Sequence, residues 1–264
     1  MDSARFENAN KLHAAGRIED AAHEFHALAD ETDDPDERVA IFANAHKCYC
    51  QLGWLDKADA LMHQIRSLPQ QDKFVRMIVD FADACMMAQM GKLDEGELKF
   101  ERVLDSNPEL LASSDNRYLY EDIQERRAFL LAGLGRYTEA LPLLKEAASF
   151  TSGESDPKLV HFYLGVCYDA ASESSLAKEE FLLAIELGLD AHFEASARYR
   201  VAMVYFTNGA LGQAKLHLEC ALAVPGGAAD LELRTYIYQG LSRTCHYLGE
   251  FEEEQRYLKL AQSL

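Results

Sequence analysis

Basic residues are scarce in this sequence. Its 264 residues include 26 Lys and Arg against 44 Asp and Glu, which leaves a formal net charge of -18 at pH 7. Acidic residues outnumber basic ones in both halves of the chain, so there is no oppositely charged tail. Because this charge repels nucleic acid phosphates and anionic lipid headgroups, we expect neither nucleic acid nor a membrane surface as a partner.

Long apolar runs and closely paired cysteines are also missing. No segment approaches the roughly 18 uninterrupted apolar residues of a membrane span, and the polar N-terminal segment lacks the pattern of a secretory signal. The six cysteines include no CxxC pair and lie in apolar, helix-like segments. We therefore expect a soluble, cytoplasmic protein with reduced core cysteines, although an even number would also allow disulfides in an oxidising compartment.

Motifs that indicate catalysis are absent as well. There is no GxxxxGK phosphate loop and no GxSxG nucleophile elbow. The HEFH segment at residues 23–26 has one residue too few between its histidines for a zinc-protease motif, and the acidic run at 30–37 lacks the glycine and terminal glutamate of a calcium loop. We therefore predict that the protein is not an enzyme, with no catalytic residues, metal or cofactor.

What the sequence does contain is a repeat. Seven segments align in one frame, with turn positions 37 to 44 residues apart. In this frame a turn residue is followed after five positions by a small residue, and four positions later by a large apolar residue. The turn positions are Gly16, Gly53, Gly91, Gly135, Ser172, Gly209 and Gly249. The small positions are Ala21, Ala58, Gly96, Ala140, Ala177, Ala214 and Glu254, and the large apolar positions are Phe25, Met62, Phe100, Leu144, Phe181, Leu218 and Leu258.

Each unit of this frame has the pattern of a helical hairpin. A glycine suits the left-handed conformation that often ends a helix, and the small residue lets two helices approach closely. Apolar residues at helical spacing precede each turn, and no run alternates long enough to indicate a strand. Asp34 before Pro35, and Asp156 before Pro157, are typical helix starts. The sequence therefore predicts an all-α protein of about 14 helices.

These units resemble the tetratricopeptide repeat family over nearly the whole chain, most clearly at residues 164–188 and 202–225. The resemblance implies a right-handed superhelical solenoid of antiparallel helical hairpins, with the first helix of each unit on a concave groove. Family members usually bind an extended peptide or a partner helix there. It therefore implies a non-catalytic adaptor or regulator that binds a protein or peptide. The spacing exceeds the family's usual length of about 34 residues, so we expect longer helices.

We predict one solenoid over residues 1–264. The largest spacing falls at residues 105–118, where Asn107 and Pro108 form a helix-start signal. This interval is predicted to be a hinge or a short extra helix, dividing units 1–3 (residues 1–104) from units 4–7 (residues 119–264).

Carrying the family frame onto this sequence places candidate ligand-binding residues on the concave groove. In the C-terminal half these are Phe162, Tyr163, Tyr199, Arg200, Met203, Phe206, Tyr236, Arg243 and Tyr247, and in the N-terminal half they are Asn10 and Asn44. Tyrosine and arginine are common at interface hot spots, but large side chains also pack between adjacent first helices, so both roles stay open for the aromatic residues. The basic residues of a chaperone-type carboxylate clamp would fall at Phe6, Ile78 and Ala82, which argues against that clamp.

The last predicted helix suggests an alternative function. Residues 250–264 have no polar capping helix after them, so Leu258 and Leu264 are expected to be partly exposed. An exposed apolar edge of this kind would favour a self-associating scaffold, in which the chain forms a homo-oligomer.

Overall fold

The computed structural model describes residues 2–69, 72–150, 155–227 and 230–264. Over these ranges every regular element is a helix, which confirms the all-α prediction. The chain consists of two compact units, Met1–Leu130 and Leu131–Leu264. The helices that lie in the first unit are α1 (Ser3–Ala14), α2 (Ile18–Asp30), α3 (Pro35–Gln51), α4 (Leu55–Ser67), α5 (Lys73–Gln89), α6 (Leu93–Ser106) and α7 (Pro108–Leu111). Helix α8 (Arg117–Gly133) ends just beyond it, and the second unit continues with α9 (Tyr137–Ala147), α10 (Pro157–Ala170), α11 (Ser174–Glu186), α12 (Ala191–Thr207), α13 (Leu211–Ala223), α14 (Leu231–Leu248) and α15 (Phe251–Gln262).

The seven predicted turns each join two helices. At the six turn glycines φ lies between 70° and 78°. Ser172 takes the same turn with φ of 62°, and no other non-glycine residue in the described part of the chain has a positive φ. Because L side chains resist a positive φ, the residue type is most restricted at these seven turns. The predicted turn positions are therefore confirmed.

The small and large apolar positions of the frame form the centre of each hairpin. In the first six units the large apolar residue is at most 1% exposed, whereas Leu258 in the seventh is 38% exposed. At Gly96 a Cβ would lie 3.2 Å from the amide nitrogen of Ala88 and 3.3 Å from the carbonyl oxygen of Ala84. The small residue is therefore required because α6 approaches the backbone of α5.

In the seventh unit Glu254 occupies the position that is a small residue in the other units. Its carboxylate accepts a hydrogen bond from His246 Nδ1 at 3.2 Å, joining α15 to the end of α14. The predicted helix starts are also present. Asp34 Oδ1 accepts a hydrogen bond from the Glu37 amide at 2.9 Å, and Asp156 Oδ1 accepts one from the Leu159 amide at 3.3 Å.

The interval 105–118 contains the short helix α7 and a 3-10 turn at Ser114–Asn116. The extra length of the repeats elsewhere is taken up by first helices such as α3, α5 and α12, each of 17 residues. A hinge at 105–118 that divides the array stays a prediction. Within the described ranges, no helix combines the length and the apolar character needed to cross a bilayer.

The buried carboxylate of Asp83 links three helices of the first unit through ion pairs. Asp83 on α5 is 4% exposed, and its carboxylate accepts a hydrogen bond from Lys99 Nζ on α6 at 2.5 Å. It also forms an ion pair with Arg66 at the end of α4. Because removing either partner would leave a buried carboxylate less compensated, this cluster is a structural feature of the first unit.

Candidate functional site

The second unit contains an open cleft of about 540 Å³ between the first helices α12 and α14. Four of the predicted groove residues line it: Tyr199, Arg200 and Met203 on α12, and Tyr236 on α14. The three on α12 share a face because residues three and four apart are neighbours on a helix. The structure therefore brings together residues that the sequence frame placed on two separate helices.

Two tyrosines form the apolar part of the cleft. The rings of Tyr199 and Tyr236 are stacked, with centroids 6.2 Å apart and planes inclined by 27°. Tyr236 is 44% exposed, and its hydroxyl donates a hydrogen bond to Glu232 Oε1 at 2.7 Å. Burial raises the pKa of Tyr199, and the hydrogen bond to Glu232 raises the pKa of Tyr236, so both phenols are neutral at physiological pH. The pair presents a partly exposed aromatic surface with an oriented carboxylate at its edge.

Arg200 is paired within the cleft. Its Nη1 donates a hydrogen bond to Asp169 Oδ2, at the end of α10, at 2.5 Å. The side chains of Arg200 and Asp169 are 36% and 39% exposed. The guanidinium carbon also lies 5.9 Å from the ring centroid of Phe181. The positive charge of Arg200 is therefore already compensated by a carboxylate of the same chain.

Two further carboxylates in the cleft did not stand out in the sequence. Asp230 caps α14, accepting a hydrogen bond from the Glu232 amide at 2.9 Å, and Glu232 lies in the first helical turn. Neither carboxylate forms an ion pair with any residue that the structure describes. In the sequence these two residues look like an ordinary acidic helix start, and only the position of α14 beside α12 places them in a cleft.

A second group of predicted residues lies further along the same two helices. The guanidinium carbon of Arg243 lies 5.2 Å from the ring centroid of Phe206, and the Phe206 and Tyr247 rings meet edge to face at 5.6 Å. Tyr247 is 66% exposed. No ion pair of Arg243 is found within the described ranges. These residues extend the exposed aromatic surface from the cleft toward the turn at Gly249.

The two predicted residues on α10 have different surroundings. Phe162 is 6% exposed and contacts the rings of Phe181 and Phe193, with centroids 5.8 Å and 5.0 Å away. Its assignment as a groove contact is corrected, because the hairpin partner and the following helix cover it. Tyr163 is half-buried, and burial raises the pKa of its hydroxyl.

The two predicted asparagines lie in the first unit. Asn10 is exposed on α1. Asn44 is half-buried on α3, and its Nδ2 donates a hydrogen bond to the carbonyl oxygen of Ala40 at 2.9 Å. Since Asn44 already bonds its own helix, it would have to exchange this hydrogen bond in order to hold a peptide backbone.

In the described part of the chain, no group of three or more His, Cys, Asp or Glu side chains is arranged to hold a metal ion. Burial raises the thiol pKa of Cys167 to about 11. This thiol is therefore protonated at neutral pH, unlike the thiolate of a nucleophilic cysteine.

No protein-family model matches the chain. The chain is similar to DnaJ homolog subfamily C member 3 of Homo sapiens, with 27% identity over 209 residues. That alignment covers 75% of this chain and 38% of the human protein, so the chain spans well under half the length of this relative.

Solved structures share the fold at low sequence identity. A Rap protein in complex with competence and sporulation factor has a TM-score of 0.68 and 11% identity, over 98% of this chain and 74% of that one. A tetratricopeptide repeat protein from Parabacteroides merdae has a TM-score of 0.55 and 15% identity, over 98% of this chain and 91% of that one. At these identities the likeness is one of fold.

Proposed function

We propose that the chain, which has the fold of tetratricopeptide repeat proteins, is a non-catalytic adaptor or regulator that binds a segment of a partner protein. The segment, an extended peptide or a helix, lies in the cleft between α12 and α14. The observation that carries this proposal is the stacked pair Tyr199 and Tyr236, which lines the cleft and stays partly exposed.

The chemistry of the pair suits protein recognition. Tyrosine buries a large, rigid area at a small entropic cost and keeps a polar tip, which is why it is enriched at interface hot spots. Met203 lies beside the pair, and it reaches α14 because Gly240 leaves room for it; a Cβ at Gly240 would lie 3.2 Å from Met203 Cε. A flexible methionine next to rigid rings can adapt to differently shaped apolar side chains.

The comparison with the Rap structure gives further support. That protein has the same fold and was solved in complex with competence and sporulation factor. The fold can therefore hold a bound ligand. The net charge of -18 favours protein partners over nucleic acid or an anionic membrane. We therefore propose that neither nucleic acid nor a membrane surface is a partner.

The test is to remove the exposed tyrosine without disturbing the fold. We would immobilise the full chain, capture proteins from an extract of the source cells, and compare wild type with Tyr236→Ala. Tyr118→Ala is the matched control, because Tyr118 is also 44% exposed on a first helix, α8, but belongs to the first unit. Circular dichroism should be the same for all three.

We expect a partner that wild type and Tyr118→Ala retain and that Tyr236→Ala loses. A partner that Tyr236→Ala retains at the same level would contradict the assignment of binding to this cleft.

Self-association is a second candidate function, favoured by the outer face of α15. Leu258 on α15 and Leu264 just beyond its end are 38% and 46% exposed, whereas the residue equivalent to Leu258 is buried in the other six hairpins. A second copy of the chain could cover these leucines and form a scaffold. Its test is the oligomeric state of the full chain.

A further inference from the structure

The cleft between α12 and α14 carries an excess of negative charge. Asp169, Asp230 and Glu232 line it, together with two basic side chains, Arg200 and His192. Arg200 is paired with Asp169, and neither Asp230 nor Glu232 forms an ion pair within the residues that the structure describes. Two carboxylates therefore remain for a ligand.

The aromatic pair lies next to these carboxylates. Glu232 accepts the hydroxyl hydrogen of Tyr236, so its carboxylate is held against the edge of the stacked rings. A cation on the face of a tyrosine is attracted by the ring, and a carboxylate beside the ring adds a charge-assisted hydrogen bond. Together they form a site for an ammonium or a guanidinium group.

From this arrangement we propose that the cleft recognises a lysine or arginine side chain of the bound segment. The basic side chain lies against the rings of Tyr199 and Tyr236 and pairs with Glu232 and Asp230. This inference rests on the proposed function and specifies the chemistry of the partner.

An acidic segment is disfavoured by the same contacts. To bind Arg200 it would have to displace Asp169 from a hydrogen bond of 2.5 Å. The N-terminus of α14, where an anion would otherwise be attracted, is already capped by Asp230. The chain's net charge of -18 also speeds the approach of a basic segment and slows that of an acidic one.

Arg243 limits how much positive charge the segment can carry. It follows Tyr236 by seven residues on α14, which is about 10 Å along the helix axis. Because its guanidinium has no ion pair within the described ranges, it would repel a second basic residue at that distance. The preferred segment therefore has one basic position, with neutral, aromatic or acidic residues where it passes Arg243, and is not a polybasic stretch.

The experiment starts with a phage-displayed library of random dodecapeptides selected on the immobilised full chain. A selected peptide is then synthesised with its basic residue intact and with that residue replaced by glutamine. Affinities are measured by fluorescence anisotropy for wild type, Tyr236→Ala and the double variant Asp230→Asn, Glu232→Gln. Asparagine keeps the helix cap, so the double variant removes charge with little change in fold.

The control variant is Asp34→Asn with Glu37→Gln, which makes the same charge change at the cap of α3. We expect the basic peptide to bind the cleft double variant about tenfold more weakly and the control with unchanged affinity. The glutamine peptide should bind about tenfold more weakly to wild type and should not distinguish wild type from the cleft double variant.

The outcomes separate the two proposals. Selected peptides that need Tyr236 but are acidic or uncharged would overturn the basic-ligand inference and leave the proposed function standing. Equal affinity of the basic peptide for wild type and the cleft double variant would also overturn the inference. Recovery of no peptide, or only of peptides insensitive to Tyr236→Ala, would overturn both.

Discussion

Protonation of His46 should destabilise the first unit. His46 lies on α3 and is 2% exposed. Burial lowers the pKa of its imidazole from 6.5 to about 4, with Asp83 and Arg66 acting in opposite directions as smaller effects. Between these two pKa values the unfolded chain binds a proton that the folded chain does not. The stability is therefore complete above about pH 6.5 and is lost as the pH falls through the folded pKa.

The magnitude follows from the two pKa values of His46. A decrease from 6.5 to about 4 corresponds to about 3 kcal/mol of unfolding free energy once the pH is below both values. At about pH 5 the loss is about 2 kcal/mol. This is a large share of the stability of an ordinary domain, so it should be readily measurable.

The assay is urea unfolding followed by the fluorescence of Trp54. It is the chain's only tryptophan, and its ring lies 6.0 Å from that of Tyr49 on α3, so it reports on the helix that carries His46. We would compare wild type, His46→Gln and the surface variant His63→Gln at about pH 7.5 and about pH 5. Glutamine is similar in size and does not titrate.

Wild type and His63→Gln should lose about 2 kcal/mol more than His46→Gln over this change in pH. All titrating groups other than His46 are shared by wild type and His46→Gln, and so they cancel in that comparison. If all three lose the same free energy of unfolding, the inference of a buried, neutral His46 is refuted.

Three further predictions test the fold and the alternative function. Ser172→Gly should stabilise the chain by about 0.5–1 kcal/mol in urea unfolding, because the left-handed turn strains a side chain. Gly209→Ser places a side chain in the equivalent turn and should destabilise the chain by a comparable amount. Effects of the same sign for the two variants would contradict this explanation. Gly165→Ala would place a Cβ 2.7 Å from two ring carbons of Phe181. Overpacking of this kind costs about 1–3 kcal/mol of unfolding free energy, and replacing a helical glycine by alanine restores about 1 kcal/mol. We therefore expect Gly165→Ala to lower the unfolding free energy by about 1 kcal/mol. An increase would mean that the Phe181 ring moves freely. Leu258→Lys should convert an oligomer to a monomer in light scattering if α15 mediates self-association, and a monomer mass for wild type at every concentration would exclude the scaffold.

The repeat and its turns were predictable from the sequence because they depend on local requirements. A turn that needs positive φ selects glycine, as at Gly91, and the helix that follows it needs a small residue where it meets its neighbour, as at Gly96. A cap such as Asp34 depends on an amide three residues away. Turns, caps and small-residue positions depend on residues that are close together in the chain, so they can be recognised in the sequence. Seven units with the same spacing make the pattern more specific than any one unit.

The site could be predicted only in part. The family resemblance implies that Phe162 and Tyr236 lie on the groove face of their helices, but it does not say what covers that face. The structure buries Phe162 under the rings of Phe181 and Phe193 and leaves Tyr236 exposed. Whether a residue on a helix face binds or packs is decided by the helix beside it, which lies far away in sequence.

The charge of the cleft was decided by the tertiary structure alone. Arg200 is compensated by Asp169, which lies 31 residues earlier in the chain. Asp230 and Glu232 join the cleft only because α14 packs beside α12. The sequence determined the helices, their turns and the faces that they present. The balance of charge, and with it the kind of ligand that the cleft favours, depends on distances between side chains that only folding brings together.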